Sequence, residues 1–224
     1  MKFIERWNVV KKEKPILFNT GMVRAILDGR KTQTRRIVKN PVLDLLGTYP
    51  SKDVSDKAKI LCPYFSEKLW VRETWCDPTG EGYPIVYKAD MPQHWDANET
   101  SHGEDVDLTE KDFKWKPSIH MPRDLCRINL SVESVEIERL QGISENDAKA
   151  EGIASITKDG ATYKYGMVDS DGYPGNDNYG WSWEDFMSTA TEAFSKLWNS
   201  IYKEQGLGWN NNPWVWVIKF KLIN

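Results

Sequence analysis

The stretch that decides the reading is Gly29-Arg30-Lys31-Thr32-Gln33-Thr34-Arg35-Arg36, which places four cations and two hydroxyls in eight residues. It follows directly on a helix stop. Asn19 or Thr20 caps an apolar stripe of Met22, Val23, Ile26 and Leu27, and Gly29 stands where a left-handed residue ends such a helix. Two readings fit these eight residues. One is a solvated edge strand whose charges guard it against pairing with another chain. The other is a cationic, hydroxyl-bearing pocket wall. In that wall a lysine acts as a base once desolvation lowers its pKa from about 10.4, and a threonine becomes a nucleophile beside it. Strand geometry sets a condition on the second reading. Thr32, Thr34 and Arg36 share one face of a regular strand, whereas positions 31 and 34 point to opposite faces. Lys31 and Thr34 therefore converge only if Lys31 lies in the turn after Gly29.

Working outward, Pro15 to Asn19 reads as a short strand entering the helix, and Leu69 to Trp75 (LWVRETW) as another. The second carries Leu69, Val71 and Glu73 on one face, with Arg72 beside Glu73. Arg127 to Leu140 alternates as a longer strand or hairpin. Ile128, Leu130 and Val132 lie on its inner face, then Val135 and Ile137, with a slip of phase near Glu133 that predicts a bulge. Ser144 with Asp147 forms a capping box for a short helix that Gly152 closes. Ser182 with Asp185 predicts a second capped helix running to about Tyr202, striped by Phe186, Ala190, Ala193, Phe194, Leu197, Trp198 and Ile201. The closing strand alternates most cleanly: Trp214, Trp216, Ile218, Phe220 and Leu222 on one face, Val215, Val217, Lys219 and Lys221 on the other. Residues 77–121 and 154–180 lack a clean period and read as long insertions in a single domain spanning 1–224.

The bulk numbers narrow the function classes. The 224 residues are 40% hydrophobic and 28% charged, as in a globular chain, with a net charge of -3. That balance lacks the basic footprint of a protein gripping a long polyphosphate backbone, and points to a small ligand or a short single-stranded target. The three cysteines, Cys62, Cys76 and Cys126, have no C-x-x-C spacing and read as reduced thiols of a cytoplasmic protein. No signal peptide or membrane-spanning run is visible. His94, His102 and His120 lack metal-ligand spacing, so neither a metal nor another cofactor is expected. Trp198, Trp214 and Trp216 sit on apolar faces, while Trp181, Trp183 and Trp209 flank Gly- and Asn-rich segments and are better placed for a ligand.

The string Gly29-x-Lys31-x-x-Thr34-x-Arg36 matches the G-x-K-x-x-T-x-R signature of the ASCH family, and the chain resembles that family in four segments. These run roughly 14–39, 60–76, 120–153 and 190–224, about half of the chain, and include LQGISENDAKAEG and PWVWVIKF. The arrangement looks most like the larger ASCH-like proteins of phages and prophages. The resemblance implies an α+β fold: a PUA-like, mostly antiparallel β-barrel with flanking helices. It also implies association with RNA or modified nucleosides. One bacterial branch of the family hydrolyses N4-acetylcytidine with a lysine, a threonine and a glutamate, which here fall on Lys31, Thr34 and Glu151. Arg36, Glu73, Arg72 and Thr32 are then the candidate substrate-binding residues. The chain is twice as long as the compact hydrolases of that branch. The competing classes are a non-catalytic RNA- or DNA-binding module reading a modified base, and a phage protein that binds a host protein.

Overall fold

The computed structural model describes residues 13–39, 42, 44, 59–78, 84–91, 95–96, 107–108, 113–175 and 179–223. Its centre is a five-stranded sheet built from β1 (Glu13–Leu17), β2 (Gln33–Ile37), β3 (Lys68–Arg72), β8 (Asn129–Arg139) and β11 (Trp214–Ile223), in the order β1-β3-β8-β11-β2. β1 runs parallel to β3, and every other pairing in the sheet is antiparallel. The class is therefore mixed α+β and mostly antiparallel, as expected. No ladder joins the two edge strands among the described residues, so the sheet is open rather than a closed barrel. Helix α1 (Thr20–Leu27) makes the connection between those edges, and Arg36 Nη2 donates to Leu17 O at 2.7 Å across the gap.

Local sequence explains these elements. Asn19 caps α1 by accepting from Met22 N, and its buried face is Met22, Val23, Ala25 and Ile26. The slip of phase in β8 is a bulge: Lys219 pairs with Ser134 and Phe220 with Val132, leaving Glu133 as the extra residue. β11 sits between β8 and β2 and is covered on both sides. Val215, Trp216, Val217 and Ile218 are all at most 2% exposed, so alternation identifies the two faces but not that both are buried. Phe220 packs on Phe18 with ring centroids 6.2 Å apart.

Two expectations need correction. The C-terminal helix α3 begins at Ala190, not near Ser182, and runs to Tyr202 under a capping box of Thr189 with Glu192. Ser182 does bond Asp185, yet it opens only a 3-10 turn over Trp183–Asp185. The helix cannot start there because Met187 exchanges both backbone hydrogen bonds with Tyr165, each 2.9 Å, and holds that stretch extended. The insertion at 154–180 is likewise not a structureless loop. It holds the hairpin β9 (Ala154–Thr157) and β10 (Tyr163–Gly166), and Ala154 of β9 clusters with Phe186 and with Val168 beyond β10. β4 (Trp75–Cys76), just before the first insertion, pairs with β5 (Val86–Tyr87) inside it, and β6 (Trp95–Asp96) pairs there with β7 (Asp107–Leu108). His94 and His102 lie outside the described residues. No helix among the described residues is long and apolar enough to cross a membrane.

Candidate functional site: a buried lysine on a helix-capping glutamate

Lys31 stands in the turn between α1 and β2. Its N–H donates to Ala25 O at 2.8 Å, and it makes an isolated antiparallel bridge with Glu151 before β2 begins at Gln33. Glu151 is the C-cap of α2 (Glu145–Ala150), the helix opened by the Ser144 and Asp147 capping box. Gly152 follows with φ +105°, a backbone setting that strains any L side chain. A Cβ there would also sit 3.0 Å from the Ala25 Cβ and 3.4 Å from the Lys31 Cβ. Glycine at 152 is what lets the end of α2 lie directly on Lys31.

The ammonium donates to Glu151 O at 2.8 Å and to Glu151 Oε2 at 2.9 Å. Arg35 Nη1 donates to the other carboxylate oxygen at 3.1 Å, while its Nε and Nη2 grip Glu138 Oε1 at 3.0 and 2.6 Å. Gln33 Nε2 donates to the Asp147 carbonyl and to its carboxylate. Lys31, Gln33, Arg35 and Glu151 are all at most 3% exposed. Desolvation on this scale disfavours charge, and each ion here survives on its partners. Burial pushes the Lys31 ammonium below the ordinary lysine range. Glu151 opposes that shift, and the nearby Arg36 and Arg35 reinforce it.

The sign of the resulting pH dependence follows from linkage. Between the depressed folded value and the ordinary lysine value, the unfolded chain holds a proton that the folded chain has released. Stability attributable to Lys31 therefore rises with pH across that window. Measured by urea midpoint at stepped pH, the advantage of wild type over Lys31→Met is expected to grow from neutral towards pH about 10. A flat or shrinking difference would mean that the ammonium is favoured by its surroundings.

Thr34 is 1% exposed and lines a cavity of about 20 Å³ together with Glu151, Arg35, Arg36 and Tyr202. That is room for about one water molecule. A larger cavity of about 400 Å³ adjoins it, and Arg36 and Tyr202 line both. Arg36 also lies over the Phe18 ring, 5.1 Å from its centroid.

The other residues singled out from sequence lie elsewhere. Thr32 is exposed although Thr34 is buried. Its N–H goes to Ala150 O and its carbonyl to Phe220 N before the regular strand starts, so the alternation that would align it with Thr34 does not apply. Glu73 and Arg72 come from the β3 segment, which β8 and β11 separate from β2. Glu73 is 1% exposed and takes Arg127 in a two-point grip, 2.9 Å at each oxygen. Arg127 continues to Asp90 and stacks over Tyr87. Burial pushes the Glu73 carboxyl up and Arg127 opposes it. Arg72 donates to Ile119 O at 3.1 Å and covers Trp70. Neither residue lines the two cavities beside Thr34.

Sequence reasoning passed over Glu138 and the Gln33 to Asp147 link, and it took Arg35, with Arg36, as a phosphate contact of an RNA-binding module; Arg35 is instead 2% exposed and held by Glu138 and Glu151. The available signal was alternation: Gln33 and Arg35 share the strand face opposite Thr34. That face reads as solvent-side in a polar edge strand, and only α2 packed across it makes it internal. Among the described residues no group of three His, Cys, Asp or Glu is placed to hold a metal, and His120 is exposed. Comparison of the chain with known protein families, with curated proteins and with solved structures returned no match.

Proposed function

We propose that the chain is an ASCH-type, PUA-like protein that recognises a nucleobase and hydrolyses the exocyclic amide of an N4-acylated cytosine nucleoside. One observation carries the reading: Thr34 and Glu151 line the same small cavity, and a fully buried lysine rests on that glutamate. In its neutral form Lys31 takes the Thr34 hydroxyl proton as the oxygen attacks the acyl carbonyl. The tetrahedral intermediate collapses by breaking the C–N bond, and the proton passes to the departing N4 amine. Water then hydrolyses the acyl-threonine ester, releasing the carboxylic acid and restoring Thr34. Arg36, at the junction of the two cavities, supplies the donor for the developing oxyanion. Glu151 orients the lysine and shuttles the proton.

The test is turnover of N4-acetylcytidine. Thr34→Ala is expected to reduce it to background. Lys31→Ala removes the base and is expected to lose about 10²–10⁴-fold, with no further loss in the double variant because the two groups act as one unit. Equal turnover by wild type and Thr34→Ala would take Thr34 out of the mechanism.

A second reading has an observation of its own. The inner cavity, at about 20 Å³, admits no acyl group in this conformation, which suits a base-reading module without chemistry. That module would show no turnover. Its RNA affinity would fall with salt and with loss of Arg36, and the salt dependence would become shallower by one phosphate contact.

A further inference from the structure

The cavity of about 400 Å³ is lined by eleven residues, among them Arg36, Lys39, Tyr64, Tyr202 and Trp216. Its volume falls within the range of small-molecule sites, about 300–1,000 Å³. Among the described residues the rest of its wall is apolar apart from Gln205, and no Asp or Glu contributes to it. In a chain of net charge -3, a concave surface with two cations and no acid is set apart from its surroundings. Among the described residues, neither Arg36 nor Lys39 meets a carboxylate. Arg36 spends one donor on Leu17 O, and Lys39 is exposed at the far side of the strand end.

From this we infer that the cavity takes a planar base carrying a phosphate, so that the ligand is a cytosine nucleotide rather than a neutral nucleoside. The inference rests on the reading of the adjoining site as the place where the exocyclic amide is cut. Tyr64 and Tyr202, both part-exposed, offer aromatic surface for the base, and the buried Trp216 closes the floor beneath them. Because Arg36 and Tyr202 border both cavities, a base between them directs its exocyclic substituent towards Thr34 and Glu151. The phosphate then lies outward, towards Lys39.

Calorimetric titration of the full chain with cytidine 5′-monophosphate, cytidine and inorganic phosphate tests this directly. The monophosphate is expected to bind about tenfold tighter than cytidine at low salt, with the gap narrowing as salt screens the charge. Lys39→Gln, at an exposed position and so without consequence for folding, is expected to remove most of that gap. Equal affinity for the two ligands, no binding of either, or an undiminished gap in Lys39→Gln would overturn the inference. So would inorganic phosphate binding as tightly as the nucleotide, since the base would then contribute nothing. The two levels separate cleanly. Nucleotide preference without cleavage of N4-acetylcytidine monophosphate keeps this inference and removes the amidohydrolase. Cleavage of N4-acetylcytidine without nucleotide preference does the reverse.

Discussion

Glu151→Ala is expected to lower stability by about 3–5 kcal/mol, read from urea unfolding, because it strands buried cations without their anion. Lys31 loses both carboxylate contact and its main compensation for complete burial, and Arg35 is left with Glu138 as its closest acidic partner. The cost is that of breaking the set, not the worth of the ion pair. Replacing both members together, as Lys31→Met with Glu151→Leu, is therefore expected to recover much of the loss, since apolar groups of similar volume need no partner. A loss under about 1 kcal/mol for Glu151→Ala would show that water reaches the ammonium and that the cluster is not internal. The double variant also separates stability from chemistry: it is expected to fold and to be inactive.

Phe220→Ala is expected to cost about 3–5 kcal/mol, the usual range for deleting a fully buried aromatic ring. Phe220 is 1% exposed, packs against Phe18, and stands beside the Glu133 bulge where the β8 to β11 register shifts. Little can collapse into the space, because Thr32 O holds the Phe220 N–H at 2.9 Å and ties this point of β11 to the turn that carries Lys31. If the proposed amidohydrolase activity holds, the same variant is expected to reduce turnover of N4-acetylcytidine in the folded fraction, through displacement of that turn. A shift in urea midpoint worth under about 1 kcal/mol would place the ring at the surface.

The second expectation depends on strand β11, whose two faces were legible from alternation before any contact was known. Caps were equally legible where they lie close in sequence. Asn19, the Ser144 and Asp147 box, and Gly29 and Gly152 after their helices all appear as read. The Ser182 and Asp185 pair misled because its signal is local, whereas the start of α3 is set by Met187 bonding to Tyr165, over twenty residues back in the chain. The hairpin of β9 and β10 escaped for a related reason. Its residues carry no long apolar period, and its stability comes from Phe186 packed against Ala154 and Val168.

For the site, the family resemblance singled out three residues, and local sequence placed them: a lysine in the turn before the strand, a threonine on the strand, and a glutamate at the end of a capped helix. Each is set by φ/ψ preferences and capping within a few residues, so the chain determines them by itself. The burial of Lys31, the gathering of Arg35 and Glu138 around Glu151, and the separation of Glu73 and Arg72 from that cluster were decided only by tertiary structure. The physical reason is range. A cap or an alternating pattern is satisfied within a turn or a strand, whereas burying an ion demands partners from segments more than a hundred residues apart, which only the order β1-β3-β8-β11-β2 and the docking of α2 on β2 bring together.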